Sequence, residues 1–332
     1  MSRHGRSHFP GAGSGLDGIL VLAKPPGPTS HDMVGLLRRL SATRRVGHGG
    51  TLDPFASGVL PLFLGRATRL VEYHLADRKR YRATVCFGAS STTDDLEGEL
   101  TPVAGPVLDR AAVEAALGRF RGTIEQTPPA YSAIKVAGRR AYAIARAGGT
   151  VELRSRTVEI TRLEIASWDD ADAARPVAIV DVDCSAGTYV RAIARDLGAA
   201  VGSGAYLGAL VRTASGPFRL EDAVSLETVR AAAEAAPNGL GAMLLPVDAG
   251  LGGLPSLVLA AADLARVVRG QAARAATGDH VDGPIRLMDT DGRLVAIGRW
   301  RGATLLPDKV LVDVGPAGDP AAPASEPGSL DR

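Results

Sequence analysis

The sequence predicts an α+β fold, and three observations predict it. Its β-type runs differ in kind, some continuously apolar and some strictly alternating. They are mixed with helical stretches that do not alternate regularly with them, which argues against a doubly wound parallel sheet. A Gly/Leu/Pro-rich link after "LLPVDAG" (244–250) then precedes a short β-rich stretch, so a small second unit is expected. At 332 residues and 45% hydrophobic content, the chain can fill one good-sized core and a smaller one.

Taken in order, residues 1–16 are Gly, Ser, Arg and His without periodicity, and residues 314–332 are Pro, Ala, Gly and Ser with a few acids. Both are read as disordered tails. "GILVLAKP" (18–25) reads as a buried strand stopped by proline. "TSHDMVGLLRRL" (29–40) reads as a helix capped by Thr29 or Ser30, with Asp32 in its first turn. "GHGGTLDPFASGVLPLFLGRATRL" (47–70) passes from a polar, glycine-rich loop into an apolar run.

"RYRATVCFG" (80–88) alternates, which puts Tyr81, Ala83, Val85 and Phe87 on one face of a strand. After a polar turn at "STTDDLEG" (91–98), "LDRAAVEAALGRF" (108–120) and the basic "GRRAYAIARAG" (138–148) read as helices. "TVEI" (157–160) and "VAIVDVDCS" (177–185) read as strands. "GTYVRAIARDLG" (187–198) reads as a helix with Tyr189, Ile193 and Leu197 on one face and Arg191 and Arg195 together on another. "IRLMDTDGRLVAIGRW" (285–300) reads as a hairpin.

Several function classes drop out. The apolar runs, such as 56–64 and 254–262, are far shorter than the roughly 20 residues of a membrane span, and residues 1–16 carry no apolar signal core. The expectation is a cytoplasmic protein with no membrane partner. Cys86 and Cys184 each sit in an apolar stretch and read as buried reduced thiols, and no metal-ligand spacing is present. Gly13, Gly15 and Gly18 fit G-x-G-x-x-G but precede a strand instead of following one, which excludes a dinucleotide loop. "HGG" (48–50) has no G-x-S-x-G nucleophile elbow to serve, and there is no phosphate-binding G-x-x-x-x-G-K-[ST] loop. Neither a metal nor a cofactor is expected, so chemistry falls to ordinary side chains.

Charge is uneven. The net charge is only +2, but residues 1–82 hold 13 Lys or Arg against 5 Asp or Glu. That half can face phosphates. The 34 Arg against 4 Lys suit bidentate phosphate contacts, and equally fit a compositional bias of an Ala- and Gly-rich chain.

One carboxylate stands apart. Asp53 precedes Pro54, which disfavours the α conformation in the residue before it, and Gly49 and Gly50 leave room for a ligand backbone to approach. On spacing alone a turn-capping aspartate is the commoner use.

The chain resembles bacterial tRNA pseudouridine synthases of the TruB family over about residues 17–313, with the motifs in the family's order. The motifs are "GILVLAKPPGPTSHD", "RRVGHGGTLDPFASGVLPLFLGRATR", "KRYRA", "TTDDLEG", "TPPAYSAIKVAGRRAYAIAR", "CSAGTYVRAIARDLG" and "GSGAYLGALVRTASGPF". The resemblance implies a pseudouridine synthase fold with a mixed, mainly antiparallel sheet. It also implies a catalytic domain at 17–248 and a small, diverged PUA-like RNA-binding unit at 249–313. The implied activity is isomerisation of uridine 55 in the T loop of tRNA, by a monomer needing no cofactor.

The resemblance further implies that Asp53 is the catalytic carboxylate, Tyr81 stacks on the target base near its C5 proton, and Arg191 pairs with Asp53. Such a cation lowers a carboxyl pKa and keeps it ionised. Tyr189 and Leu210 match positions lining the uracil pocket, and His48 matches the histidine that wedges into the T loop. Lys24 and Pro25 match a pair that braces the catalytic loop. Asp95 matches an acidic position, but Thr92 stands where a second acid is found in relatives, and no role follows. Tyr81, Tyr189 and Leu210 are equally suited to plain packing, and Arg195 to a solvated helix face. A non-catalytic RNA-binding or tRNA-folding chaperone on the same scaffold is the alternative.

Overall fold

The alternation and apolar runs close into sheets as the sequence predicts. In this computed structural model the described residues are 15–132, 149, 153–236, 239–274 and 282–312, with the backbone of 135–136 and 139–140. The two tails lie outside the described residues apart from 15 and 16.

The chain divides into two compact units, Met1–Gly250 and Leu251–Arg332. The first is built on a ten-stranded sheet. Along it run Val224–Ser225, Gly18–Lys24, Ser57–Leu64, Ala205–Ser215, Lys79–Phe87, Val177–Cys184, Arg156–Asp169 and Gly122–Gln126. Val46–His48 and Phe218–Arg219 pair off that path. Gly18–Lys24 with Val224–Ser225, and Ser57–Leu64 with Ala205–Ser215, are parallel, and the other pairs are antiparallel. The fold is therefore α+β with a mixed, mainly antiparallel sheet.

Continuous apolar runs mark the strands covered on both faces. In Gly18–Lys24, Leu20 and Leu22 join the main core with Met33, Val34 and Leu37, while Ile19 and Val21 join a second core with Val59, Phe63 and Phe218. The Ser30–Leu40 helix starts at Thr29, whose side chain and that of Asp32 form a reciprocal capping box. The Val190–Ala200 helix packs on Ala205–Ser215 at Gly198, where an added side chain would run into the Ala205 backbone.

Four local readings change. The "TVEI" strand runs from Arg156 to Asp169, because irregularities at Ile160/Arg162 and Ile165/Ser167 break its alternation. The helix read from 187 begins at Val190, since Gly187 has φ +85° and the chain before Tyr189 forms a turn. Of the basic helix read at 138–148, Arg139–Arg140 is a short strand paired with Lys135–Val136, and the rest lies outside the described residues. Cys86 is only half-buried because the alternation that buries Phe87 turns it to the opposite face, while Cys184 is buried. Both thiols are free.

The second unit has its own sheet, in the order Ser256–Val258, Pro284–Met288, Leu294–Arg301, Thr304–Val310, with a core of Leu259, Val267, Ile285, Leu287, Ala296 and Leu305. The middle pair is the hairpin read at 285–300. Among the described residues no helix is long and apolar enough to cross a membrane.

Candidate active site

Asp53 stands on a loop held by main-chain carbonyls. Buried Lys24 donates through Nζ to the carbonyls of Pro25 at 2.9 Å, Pro54 at 3.2 Å and Ala56 at 2.6 Å. The two loop carbonyls that Lys24 holds, those of Pro54 and Ala56, both follow Asp53 in the chain. Ser30 Oγ donates to the Leu52 carbonyl at 3.0 Å and accepts from its amide at 2.8 Å. Arg212, 1% exposed, donates from Nε to Val59 O at 2.7 Å and from its terminal nitrogens to Thr51 O at 3.3 Å and Gly50 O at 3.1 Å. Gly58 closes the loop at φ +105°, where a side chain would collide with the Arg212 backbone.

A cavity of about 340 Å³ opens beside this loop, lined by Asp53, Tyr81, Tyr189, Arg191 and Leu210 among others. Five of the six side chains singled out in the sequence thus meet at one cavity. The register explains the meeting: Ala205–Ser215 sets Leu210 against Ala83 and Arg212 against Tyr81 across the antiparallel ladder. Tyr189 is held from behind, its amide donating to Gln126 Oε1 at 2.8 Å and its carbonyl accepting from Gln126 Nε2 at 3.1 Å.

His48 is not among the residues lining this cavity. Its Nδ1 accepts from the Gly50 amide at 3.3 Å. It lines an open groove with His31, Arg38, Arg44, Arg45 and Thr68. Burial lowers its pKa from the ordinary histidine value, and the Arg212 charge lowers it further.

Arg191 sits in the first turn of its helix, where a cation opposes the helix dipole. Two acids offset that. Its Nε lies 3.0 Å from Asp53 Oδ2, at an angle too oblique for a hydrogen bond, and its Nη1 lies 3.3 Å from Asp95 Oδ2. The remaining donors go to the carbonyls of Thr93 and Tyr131, both at 3.1 Å. Arg191 and Asp95 are buried, whereas the Asp53 side chain keeps a third of its surface open.

Burial pushes the Asp53 carboxyl above its ordinary pKa of 3.8, with Arg191 pulling it down and Asp95 adding to the rise. The expected net lowering is therefore corrected: Arg191 acts in that direction, but loss of water outweighs it. Burial likewise raises Tyr81 above 10.0, so its ring faces the cavity as a neutral phenol at neutral pH.

The sequence reading named Asp95 without giving it a role and did not single out Arg212. Asp95 accepts from Thr93 Oγ1 at 2.5 Å and from the Glu97 amide at 3.0 Å, in a turn tied to Leu207 through backbone bonds. No periodicity signals such a placement. Arg212 did leave a signal: it shares a strand face with Leu210, two residues earlier, and an arginine on a core face requires buried partners. Arg195 is also corrected from a solvated charge, since it pairs with Asp94 at 2.9 Å and Asp196 at 2.8 Å and donates to Thr127 O. Among the described residues no group of three or more His, Cys, Asp or Glu could hold a metal ion.

Comparison with known proteins adds independent findings. Residues 38–190 match the TruB family pseudouridylate synthase N-terminal domain, and residues 191–252 match the tRNA pseudouridylate synthase B C-terminal domain. The chain is 42% identical over 301 residues to tRNA pseudouridine synthase B of Bradyrhizobium diazoefficiens, covering 89% of this chain and 86% of that one. It is 43% identical over 284 residues to the Pseudomonas aeruginosa protein of the same name, covering 85% and 91%. Among solved structures it resembles a chain of a Cbf5–Nop10–Gar1 complex, with TM-score 0.67, 26% identity and coverage of 90% and 86%.

Proposed function

The chain belongs to the TruB family and is a tRNA pseudouridine synthase, an isomerase, and on that premise we propose that it converts uridine 55 of the T loop with Asp53 as the essential carboxylate. The observation that carries this reading is the ion pair of Asp53 and Arg191 at the wall of a cavity also faced by Tyr81, Tyr189 and Leu210.

The reaction breaks the C1′–N1 bond, turns the uracil, and forms C1′–C5, while the C5 proton leaves and N1 gains one. Reactant and product are isomers, so no electrons are exchanged with a redox partner. The base first leaves its stack, at a cost of a few kcal/mol that is smaller in a strained loop than in a duplex. Tyr189 and Leu210 then offer an aromatic and an aliphatic wall to the flat base. Asp53 acts ionised, by attack on C6, by attack on C1′, or as a base. Arg191 holds its charge once substrate excludes water. Tyr81, a neutral phenol, stacks and relays the C5 proton.

His48, in its own groove beside Arg38, Arg44 and Arg45, is suited to stack in the T loop. Residues 17–248 form the catalytic domain in this reading and 249–313 a PUA-like RNA-binding unit. In this reading the protein works as a monomer in the cytoplasm, on tRNA.

Tritium release from C5-labelled uridine in an unmodified tRNA transcript tests the proposal, with wild type and Asp53→Asn compared at equal tRNA binding. Release by wild type alone is expected. Tight tRNA binding with no release by folded wild type would replace the isomerase reading with an RNA chaperone.

A further inference from the structure

The cations lining the Asp53 cavity differ in what their donors already hold. Lys79 directs Nζ to the carbonyls of His74, Leu75 and Asp77 at 3.3, 3.1 and 2.6 Å. Arg212 is spent on Val59, Thr51 and Gly50. Arg191 is spent on Asp53, Asp95, Thr93 and Tyr131. Arg156 also lines the cavity, and among the described residues it has no carboxylate partner.

Its surroundings orient it without using it up. One terminal nitrogen donates to the Gly187 carbonyl. The guanidinium carbon lies 4.5 Å above the centre of the Tyr189 ring. Buried Nε has no hydrogen-bond partner. A guanidinium lying over an aromatic face is held in place while its in-plane N–H groups stay available. The terminal N–H groups not given to Gly187, on a half-buried cation, suit an oxyanion.

We propose that Arg156, held over Tyr189, is a phosphate-binding residue that grips the RNA backbone next to the nucleotide whose base enters the cavity. The proposal rests on the substrate reading above and adds a contact to it. A nucleotide flips by rotating about its backbone, so the phosphates flanking it are drawn to the cavity mouth. There they meet the negative charge of Asp53, and a cation with no carboxylate partner among the described residues offsets the repulsion from the same wall. Arg191, Lys79 and Arg212 are buried and engaged, whereas Arg156 is partly exposed.

The test measures binding of an unmodified tRNA transcript to the full chain across a salt series, with KM and kcat taken from tritium release. Arg156→Gln is expected to weaken binding roughly tenfold, the scale of one charge-assisted hydrogen bond. The slope of log K against log salt should become shallower by about one. KM should rise with kcat held within about threefold, as for an interaction made equally in ground and transition states. Arg156→Lys keeps the charge but loses the planar stack, so the slope should return while affinity recovers only in part.

A salt slope unchanged in Arg156→Gln would overturn the phosphate contact. If kcat alone fell, Arg156 would be a positioning residue for Tyr189 instead. Should Arg156→Gln fail to fold, Arg156→Met, which also removes the charge but keeps the aliphatic stem, carries the same slope comparison. Absence of tritium release from wild type would sink the isomerase reading and leave the binding slopes to decide the phosphate contact by themselves.

Discussion

On the two faces of the Lys79–Phe87 strand, arginine meets aspartate with opposite results. On the cavity side, Arg191 lies 3.0 Å from Asp53 and 3.3 Å from Asp95. On the other side, Arg82 lies 2.9 Å from Asp181 and Arg80 lies 3.0 Å from Asp183, with both arginines about half exposed. The distances are alike, yet the Asp181 carboxyl is lowered, by its hydrogen bond from Arg82 first, and the Asp53 carboxyl is raised, by burial first. The outer pairs form a solvated ladder that salt screens. The inner set holds a reluctant charge where water is scarce. What an arginine does to a carboxylate is therefore decided by the water around the pair more than by their separation.

The largest expected effect comes from removing the inner charge. Asp53→Asn should lower tritium release by at least about 10³-fold, as for loss of a group acting at the reacting atoms. Its stability should move the other way. Because the folded-state pKa of Asp53 lies above the unfolded value, ionisation disfavours the folded state as pH rises through that range. Asn mimics the protonated acid, so the Tm of Asp53→Asn at pH 7 should equal or exceed that of wild type, with the difference closing below the unfolded pKa. Thermal melts at pH 3.5 and 7 check this, and a lower Tm at pH 7 would mean that Arg191 stabilises the charge more than burial opposes it.

Next in size is Arg191→Gln. It leaves Asp53 and Asp95 facing each other without their cation, a loss of about 3–5 kcal/mol for a broken buried pair. Turnover should fall with it. Since Arg191 lowers the Asp53 pKa against burial, the acid limb of the pH–rate profile should move to higher pH in Arg191→Gln, and a limb that stayed put would remove Arg191 from the titration of Asp53.

The same contrast explains how far the sequence could be read. The outer ladder follows from strand alternation alone, since Arg80 and Arg82 fall opposite to the Tyr81 and Ala83 face. Asp53 and Arg191 were legible as candidates from their local settings, Tyr81 by itself reads as a packing aromatic, and the resemblance to a family supplied all three roles. Their companions were not legible. Arg212 reaches Gly50 across 162 residues and Arg195 reaches Asp94 across 101, and no local pattern encodes such pairings. Asp95 was hidden in a polar turn that would look the same if it faced solvent. Nor could residue types show the sign of the Asp53 shift, because that depends on how much water the assembled cavity excludes.

A smaller effect is expected from the brace. Lys24→Met keeps the length of the side chain but leaves the carbonyls of Pro25, Pro54 and Ala56 without their donor. Loss of these bonds should loosen the Asp53 loop and lower kcat by about tenfold, with tRNA affinity unchanged, as expected of a residue acting through position alone. A matched fall in affinity would show that the loop, not only its carboxylate, contacts RNA.

The smallest effect sharpens the comparison most. Asp181→Asn removes a carboxylate of the outer ladder that Arg82 contacts at 2.9 Å and Arg162 at 3.8 Å. Its kcat/KM should stay within about twofold of wild type, and its Tm within about 3 °C at pH 7. The sign of the pH dependence is opposite to that at Asp53. A carboxyl lowered in the folded state contributes stability above its unfolded pKa, near 3.9, and loses it as pH falls through the folded value. The small Tm deficit of Asp181→Asn should accordingly be present at pH 7, vanish in acid, and shrink in high salt at any pH. If the deficit were instead large and indifferent to salt, the outer ladder would be shielded from water like the inner set, and burial could no longer account for the opposite shifts of Asp53 and Asp181.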